Sequence, residues 1–328
     1  MRVLIALDAS PACGEIIEAV ASRPWPSNTS FLLLHVLDPF PFSKAPLSLH
    51  RAKMQAANQL KEAGRKLCSG GWAMKEEVVL GRARHEIPRI ARTWKAELVV
   101  VGSSGAGAVT RFFLGSTARA VLRQSLCSVE VVRPLPEKAN APQIKGMKVL
   151  VTTDGSECSV AALKSVARRP WPEGTHFKVI SIPEPFMPLE EFPYFELKEI
   201  EELNTAAIKD AKRYADAGVK ILSGAGLEAC PETPLPRDSD ALEIVHEAER
   251  WHPNLVVLGS HGRRGFNRFT MGSVSEHVAL HAPCSVEVVR NSSPSSKKTK
   301  TKTRKPEAHT TKKASQVPRE RRGPRRKE

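Results

Sequence analysis

The sequence lacks the features that mark secreted and membrane-spanning proteins. Its six cysteines are dispersed over 328 residues, with no Cys-x-x-Cys pair and no dense framework of the kind that small secreted domains need. No stretch approaches the roughly 20 consecutive apolar residues that span a bilayer, and Asp8 interrupts the apolar start of the chain too early for a signal peptide. We therefore expect a protein of the reducing cytoplasm.

The sequence also lacks common motifs of hydrolytic and phosphate-transferring enzymes. It contains no Gly-x-x-x-x-Gly-Lys-Ser/Thr loop, no Gly-x-Gly-x-x-Gly after the first predicted strand and no Gly-x-Ser-x-Gly nucleophile elbow. His277 and His281 stand four residues apart, but the glutamate of a His-Glu-x-x-His zinc motif is missing between them. We predict neither a catalytic residue nor a metal ligand.

Positive charge is abundant but lies mostly at one end of the chain. The formal net charge is +15, and the segment 291–328 accounts for +11 of it, with 14 Lys or Arg against three Glu. This segment has almost no aliphatic residues, so we predict a disordered tail. The tail is either a solvated extension or a segment that contacts nucleic-acid phosphates, an acidic partner or an anionic membrane surface. It has no aromatic residues to stack on bases.

The rest of the chain is an internal duplication. The apolar run at 2–7, which ends at Asp8, recurs at 148–153, where it ends at Asp154. Two further motifs recur at the same separation of 146 residues: Arg-Pro-Trp-Pro at 23–26 and 169–172, and Asp/Glu-Pro-Phe at 38–40 and 184–186. A duplicated domain is the simplest explanation.

The second copy is longer than the first. The separation between matching residues grows from 146 at Asp8 to 157 at Gly102, whose counterpart is Gly259. We assign most of the additional length to a segment rich in Gly and Pro, 223–240, which follows a predicted strand at 219–223. We expect this segment to form an extended loop.

Each copy alternates short aliphatic runs with longer stretches of helical period, the pattern of a parallel sheet covered by helices on both faces. The predicted fold class is α/β, with two tandem, Rossmann-like domains of five parallel strands each. The strands are predicted near 2–7, 31–37, 74–80, 97–102 and 128–133, and near 147–153, 176–182, 219–223, 254–259 and 285–290. The predicted divisions are the first domain at 1–133, a Pro-rich linker at 134–146, the second domain at 147–290 and the tail at 291–328.

A spaced glycine motif occurs once in each copy. In the first copy two residues separate Gly102 from Gly105, and nine more lead to Gly115 and Ser116. The same spacing recurs in the second copy at Gly259, Gly262, Gly272 and Ser273. Each motif begins at the end of an apolar strand and finishes at the start of a helix, where unpaired N–H groups and missing Cβ atoms suit a phosphate chain.

This spacing, the Asp after the first strand and the closing Cys-Ser-Val-Glu-Val-Val-Arg strand together resemble the ATP-binding branch of the universal stress protein family, in tandem form. The resemblance covers residues 1 to about 290. It implies a strand order of 3-2-1-4-5 in each copy and pairing of the two copies through their last strands. It also implies ATP, with or without Mg²⁺, bound between the first-strand Asp and the glycine motif.

The resemblance also implies a role for individual residues. Asp8 and Asp154 would meet the ribose or adenine, and Val36 and Ile182 would pack on the base. The residues expected to hold ribose and phosphates are Gly102, Gly105, Gly115, Ser116 and Thr117 in the first copy, and Gly259, Gly262, Gly272, Ser273 and Val274 in the second. The extended loop of the second copy would lie over its site.

The second motif also contains two arginines that the first lacks. Arg263 and Arg264 stand where the first copy has Ala106 and Gly107, so we expect tighter phosphate binding in the second copy.

The predicted function is that of an ATP-binding, nucleotide-responsive stress or regulatory protein. We expect its two copies to pair within the chain, and a homodimer is a further option. We expect binding rather than catalysis, with at most slow ATP hydrolysis, because no convincing general base and no Walker-type Lys is present. The alternative is a nucleotide-independent interaction protein whose basic tail recruits nucleic acid or an acidic partner.

Overall fold

The computed structural model describes residues 1–8, 10, 12–67, 71–103, 114–134, 146–186, 196–263 and 271–291. Most of the predicted linker and of the predicted tail therefore lies outside the described residues, and the disorder expected of the tail stays a prediction. None of the described helices is both long and apolar enough to cross a membrane.

Strands and helices alternate along both copies, as the sequence pattern predicts. The elements of the first copy are β1 (Arg2–Ala6), α1 (Ala12–Ala21), β2 (Ser30–Leu37), a short 3₁₀ helix (Phe40–Phe42), α2 (Pro46–Leu67), β3 (Ala73–Leu80), α3 (Ala83–Trp94), β4 (Leu98–Gly102), α4 (Ser116–Gln124) and β5 (Ser128–Val132). Those of the second copy are β6 (Lys148–Thr152), α5 (Glu157–Ala167), β7 (His176–Ile180), α6 (Leu197–Ser223), β8 (Ala229–Glu232), α7 (Asp240–Trp251), β9 (Leu255–Gly259), α8 (Ser273–His281) and β10 (Ser285–Val289).

The strands of the described chain form one sheet in the order β3-β2-β1-β4-β5-β10-β9-β6-β7-β8. Within each copy the neighbouring strands are parallel, and each copy has the order 3-2-1-4-5. At the centre β5 pairs with β10 in the antiparallel sense, with Val131 opposite Val286. The α/β fold class, the strand order and the pairing through the last strands are confirmed.

Helices cover both faces of this sheet. On one face α3, α4, α7 and α8 pack over a core that runs through both copies and includes Val121 of α4 and Val278 of α8. On the opposite face α1 and α2 cover the first copy, and α5 and α6 cover the second, each pair over its own core. Strands that are buried on both faces have continuous apolar sequences, which explains the runs in β4 and β9.

One predicted strand of the second copy is wrong. Residues 219–223 form the last turn of α6, in which Leu222 is buried in the core. The third strand is instead β8, an edge strand that contains Pro231. The aliphatic run favoured a strand, but its buried positions continue the helical spacing of Ala211, Ala215 and Gly218. A proline is tolerated in β8 because one side of an edge strand needs no ladder hydrogen bonds.

The assignment of the additional length to the segment 223–240 is also wrong. Gly64 in α2 and Gly218 in α6 occupy equivalent places, because an added Cβ would contact Leu33 of β2 and the matching Val179 of β7. These glycines are 154 residues apart, whereas the separation is 146 at Asp8 and 157 at Gly102. Most of the additional length therefore precedes Gly218. It lies in the connection from β7 and in α6, which has 27 residues against 22 in α2.

Each central strand carries a buried glutamate that pairs with the arginine of an Arg-Pro-Trp-Pro motif. Arg169 donates two parallel hydrogen bonds to the Glu287 carboxylate, from Nη1 to Oε2 at 2.8 Å and from Nη2 to Oε1 at 3.0 Å, in a forked arrangement. In the first copy Arg23 Nη2 donates to both carboxylate oxygens of Glu130. All four side chains are at most 7% exposed. The repeated motif therefore neutralises a negative charge that the sheet buries at its centre.

Two further arginines join the copies to each other. Arg133, after β5, donates Nη2 to the carbonyl oxygens of Ala279 at 2.6 Å and Leu280 at 3.1 Å, near the end of α8. Arg290, after β10, donates to the carbonyl oxygen of Leu122 in α4 at 2.8 Å. A positive charge is favourable at a helix C-terminus. The copies are thus linked by strand pairing and by reciprocal capping of their last helices.

Candidate functional site

A cavity of about 670 Å³ lies in the second copy, at the carboxyl ends of β6, β7 and β9. Its other walls come from α6 and from the starts of α7 and α8. Every residue predicted for the second site lines it: Asp154, Ile182, Gly259, Gly262, Gly272, Ser273 and Val274. Ligands of open parallel sheets bind at this position. The structure brings these residues together, and their contact with a nucleotide stays a prediction.

Asp154 follows β6 and holds the start of the second glycine motif. Its Oδ1 accepts the N–H of Ser156 at 3.0 Å, and its Oδ2 accepts the N–H of Arg263 at 2.9 Å. Burial by itself would raise the pKa of this carboxyl, but hydrogen bonds from Ser156, Ser159 and Arg263 outweigh burial and lower the pKa from its ordinary value. The carboxylate is therefore charged at neutral pH, and it keeps lone pairs for hydroxyl donors.

Two glycines of the second motif are required by close packing within the protein. A Cβ at Gly259 would lie 2.7 Å from the carbonyl carbon of Cys158, at the start of α5. A Cβ at Gly262 would lie 2.8 Å from Asp154 Oδ2. Both approaches are closer than a side chain tolerates. The spacing that predicted a phosphate loop therefore also reflects the way the motif docks on the first strand and first helix of its copy.

The end of the motif forms the N-terminus of α8. The N-cap residue is Gly272, which has no side chain to cap the helix. Its N–H donates to the carbonyl oxygen of Ser260 at 2.9 Å. The Ser275 hydroxyl donates to the same carbonyl oxygen at 3.0 Å. The first N–H groups of a helix lack intrahelical partners and carry positive dipole character, so this end of the cavity favours an anion.

Arg263 bridges two walls of the cavity at an exposed edge. Its Nη2 lies 3.2 Å from Oε2 of Glu184, in the connection between β7 and α6. Its guanidinium carbon lies 5.7 Å from the ring centre of Tyr214, on α6. The Tyr214 ring packs directly on Gly155, whose φ of 76° and lack of a Cβ allow this contact. All three side chains of this bridge line the cavity.

The extended loop expected over the second site does not lie there. The predicted segment, residues 223–240, is described throughout, and Asp240, the first residue of α7, is its one residue that lines the cavity. The corresponding wall is formed by α6, through residues such as Leu203, Ala207 and Tyr214. Within the described residues, the additional length of the second copy therefore contributes to the cavity through α6 and through Glu184 of the connection that precedes it.

The first copy has the same framework. Asp8 follows β1, and its Oδ1 accepts the N–H of Ser10 at 2.9 Å together with the Ser10 hydroxyl. The other predicted residues lie in β2 (Val36), at the end of β4 (Gly102), at the N-cap of α4 (Gly115) and in its first turn (Ser116, Thr117). Gly105 lies outside the described residues, and so does Arg264 of the second copy.

The copies differ in the groups around the first-strand Asp, which the sequence analysis missed. In the second copy Thr153 Oγ1 and Ser159 Oγ lie 3.1 Å apart. The matching residues of the first copy are Leu7 and Cys13. Burial, and then the charge of Asp8, raises the pKa of the Cys13 thiol to about 11. The separation of 146 residues, which holds from Asp8 to Phe40 of the first copy, was the signal that could have found this difference.

A small group of possible metal ligands lies at the start of α7. One ligand atom from each of Asp238, Glu243 and His246 lies within 4.8 Å of the others. Glu243 is buried, and its Oε1 accepts the N–H groups of Arg237 at 2.7 Å and Asp238 at 3.0 Å. A carboxylate at a helix N-terminus is stabilised by such bonds, so they account for the position of Glu243 without an ion.

Comparison with known proteins places this fold in a family. The family model described as "Universal stress protein family" matches residues 1–133 and 147–290. The chain belongs to the universal stress protein family. A universal stress protein of Mycobacterium tuberculosis is 27% identical over 322 residues, which cover 88% of this chain and 95% of the relative.

Other universal stress proteins are also similar to this chain. A second one from M. tuberculosis is 31% identical over 210 residues, which cover 60% of this chain and 63% of the relative, so the match spans less than two thirds of that relative's length. The crystal structure of a universal stress protein from Archaeoglobus fulgidus gives a TM-score of 0.57 at 17% identity, covering 88% of this chain and 96% of that one. At this identity the likeness shows the fold alone.

Proposed function

We propose that the second-copy cavity binds an adenine nucleotide, with ATP as its ligand. The observation that carries this proposal is the combination, in one cavity, of the carboxylate of Asp154, the apolar side chain of Ile182 and the glycine-bounded start of α8. Its volume of about 670 Å³ lies within the range of roughly 300–1,000 Å³ that is usual for ligand pockets. Membership of the universal stress protein family supports the same ligand.

Each wall of the cavity suits one part of the nucleotide. The charged Asp154 has lone pairs for ribose hydroxyls, and Ile182 offers an apolar surface to the base. The N–H groups at the start of α8 and the Ser273 hydroxyl suit the phosphates, with Gly259, Gly262, Gly272 and Val274 around them. Mg²⁺ would arrive with the phosphates, since this ion usually binds to one or two carboxylates plus substrate phosphate oxygens.

We extend the proposal to the first copy, with weaker phosphate binding. Asp8, Val36 and the start of α4 at Gly115 occupy the matching places in its framework. The first copy has Ala106 where the second has Arg263, so it lacks one guanidinium group near the motif.

We place this binding protein in the cytoplasm, as a nucleotide-responsive stress or regulatory factor. Five cysteines of the described chain have free thiols (Cys13, Cys127, Cys158, Cys230 and Cys284), as suits a reducing compartment. Binding without efficient hydrolysis is expected because the chain has no Walker-type Lys to stabilise the transferred phosphoryl group.

Native mass spectrometry of the purified protein, followed by isothermal titration calorimetry with ATP, ADP and AMP, tests the proposal. We expect adenine nucleotide either carried through purification or bound on titration. Ile182→Asp should weaken the tighter binding step at least about tenfold, because it places a carboxylate against the apolar base. Val36→Asp is the matched control and should leave that step unchanged. If none of the three nucleotides binds at millimolar concentration, the proposal is wrong.

A further inference from the structure

Arg263 is placed to interact with two competing anions. Its backbone N–H donates to Asp154 Oδ2 at 2.9 Å, so the residue belongs to the motif proposed to surround the phosphates. Its side chain is directed to Glu184 on another wall, with Nη2 at 3.2 Å from Oε2. A ligand phosphate in the cavity would therefore compete with Glu184 for the same guanidinium.

The ion pair between Arg263 and Glu184 is weak enough to exchange. The two side chains are 46% and 37% exposed, and exposed pairs contribute little because water screens them. The buried pair of Arg169 and Glu287 shows the contrast, since it is a fork with both bonds at 3.0 Å or less. A terminal phosphate carries more charge than a carboxylate and, like a carboxylate, can accept two guanidinium N–H bonds, so it competes well.

Tyr214 keeps the guanidinium close to the cavity with either partner. Its ring centre lies 5.7 Å from the guanidinium carbon, within the range of a cation–π contact. An aromatic ring covers a face of the guanidinium, whereas anions bind its N–H edge. Changing the anion therefore requires a rotation of the side chain and no displacement of Tyr214 from Gly155.

We propose that Arg263 exchanges between Glu184 and a ligand phosphate, so that Glu184 sets how strongly the second-copy site prefers phosphorylated ligands to adenosine. This inference rests on the proposed function of the cavity. The first copy supplies a natural control, because it has the acidic counterpart Asp38 but Ala106 in place of Arg263. The Asp38 carboxylate instead accepts the N–H of Phe40 at 2.9 Å.

Calorimetry on the full chain with ATP, adenosine and inorganic tripolyphosphate tests this exchange. Glu184→Gln removes the competing charge at constant size, and we expect ATP and tripolyphosphate to bind about two- to fivefold more tightly, with adenosine unchanged. Arg263→Ala should weaken ATP binding, and the effect of Glu184→Gln should vanish in the double variant. Asp38→Asn should change none of these affinities at the second-copy site.

Two outcomes would overturn the exchange while leaving nucleotide binding intact. If Glu184→Gln strengthens ATP binding equally in the Arg263→Ala background, Glu184 acts by direct repulsion of the phosphates. If adenosine binding changes as much as ATP binding, Glu184 has a structural role. Tripolyphosphate binding that tightens in Glu184→Gln, with no binding of ATP, would instead contradict the proposed function and uphold the exchange. If no probe binds, both are wrong.

Discussion

Glu287→Gln should lower the free energy of unfolding by about 3–5 kcal/mol, because it leaves a buried guanidinium without its counter-ion. The fork to Arg169 has two bonds, at 2.8 and 3.0 Å, and the side chains are 1% and 7% exposed. A glutamine has one acceptor oxygen for the two guanidinium donors and carries no charge. Because both side chains are at most 7% exposed, bulk solvent compensates little of either loss.

The same reasoning predicts that removing both partners costs less than removing one. In Arg169→Met with Glu287→Leu, no charge is left buried, and replacement of a buried ion pair by apolar side chains is often close to neutral. We therefore expect the double variant to be more stable than Glu287→Gln. The opposite order would contradict the view that the uncompensated charge is the main cost.

Urea denaturation, followed by circular dichroism and by tryptophan fluorescence, measures these changes. The ring centre of Trp171, one of five tryptophans, lies 5.3 Å from the Arg169 guanidinium carbon, so the fluorescence includes a contribution from this region. Glu77→Gln is the control, since Glu77 pairs with Lys75 at 3.0 Å with side chains 37% and 63% exposed. Its loss should stay below about 1 kcal/mol. A loss in Glu287→Gln no larger than this would refute the argument from burial.

Three further outcomes are expected. Arg133→Met should lower the free energy of unfolding by about 2 kcal/mol, because a charged donor to the helix end of the other copy is lost; an unchanged urea midpoint would contradict this. Burial lowers the pKa of His35 in the folded state, although the charge of Asp8 opposes this shift. As the pH falls, His35 is therefore protonated in the unfolded chain at a higher pH than in the folded protein. Stability should therefore fall as pH drops below about 6.5 and through the lower folded pKa, and His35→Gln should flatten this profile in urea titrations between pH 7 and 5. The Cys13 thiol, with its pKa raised to about 11 by burial and Asp8, should react with iodoacetamide at pH 8 far more slowly than the exposed Cys230; equal rates by peptide mass spectrometry would count against its burial.

Much of the fold could be predicted because its central strands are buried on both faces. Residues 98–102 and 255–259 form continuous apolar runs, as β4 and β9 require. The strand that was misplaced, β8, lies at the sheet edge, has four residues and contains Pro231, so it has no such run. The run at 219–223 belongs to a helix because Leu222 reaches the core with helical spacing.

The candidate site could be predicted as a set of residues but not as a set of contacts. The spacing of the motif located Gly262 and Gly272, and the duplication located Asp154. That the Asp154 carboxylate accepts the N–H of Arg263 depends on the distance between two loops in space. No periodicity or spacing in the sequence predicts that distance.

The sequence by itself determined the duplication, the α/β class and the residues at the ends of the strands, because repeats, apolar runs and turn residues are local properties of the chain. Only the tertiary structure decided which charges meet. Arg263 and Glu184 are 79 residues apart, and Arg169 and Glu287 are 118 apart. Their pairing follows from the packing of strands and helices around the sheet. The same packing leaves the pair of Arg263 and Glu184 exposed and exchangeable, and it buries the pair of Arg169 and Glu287, which is costly to break.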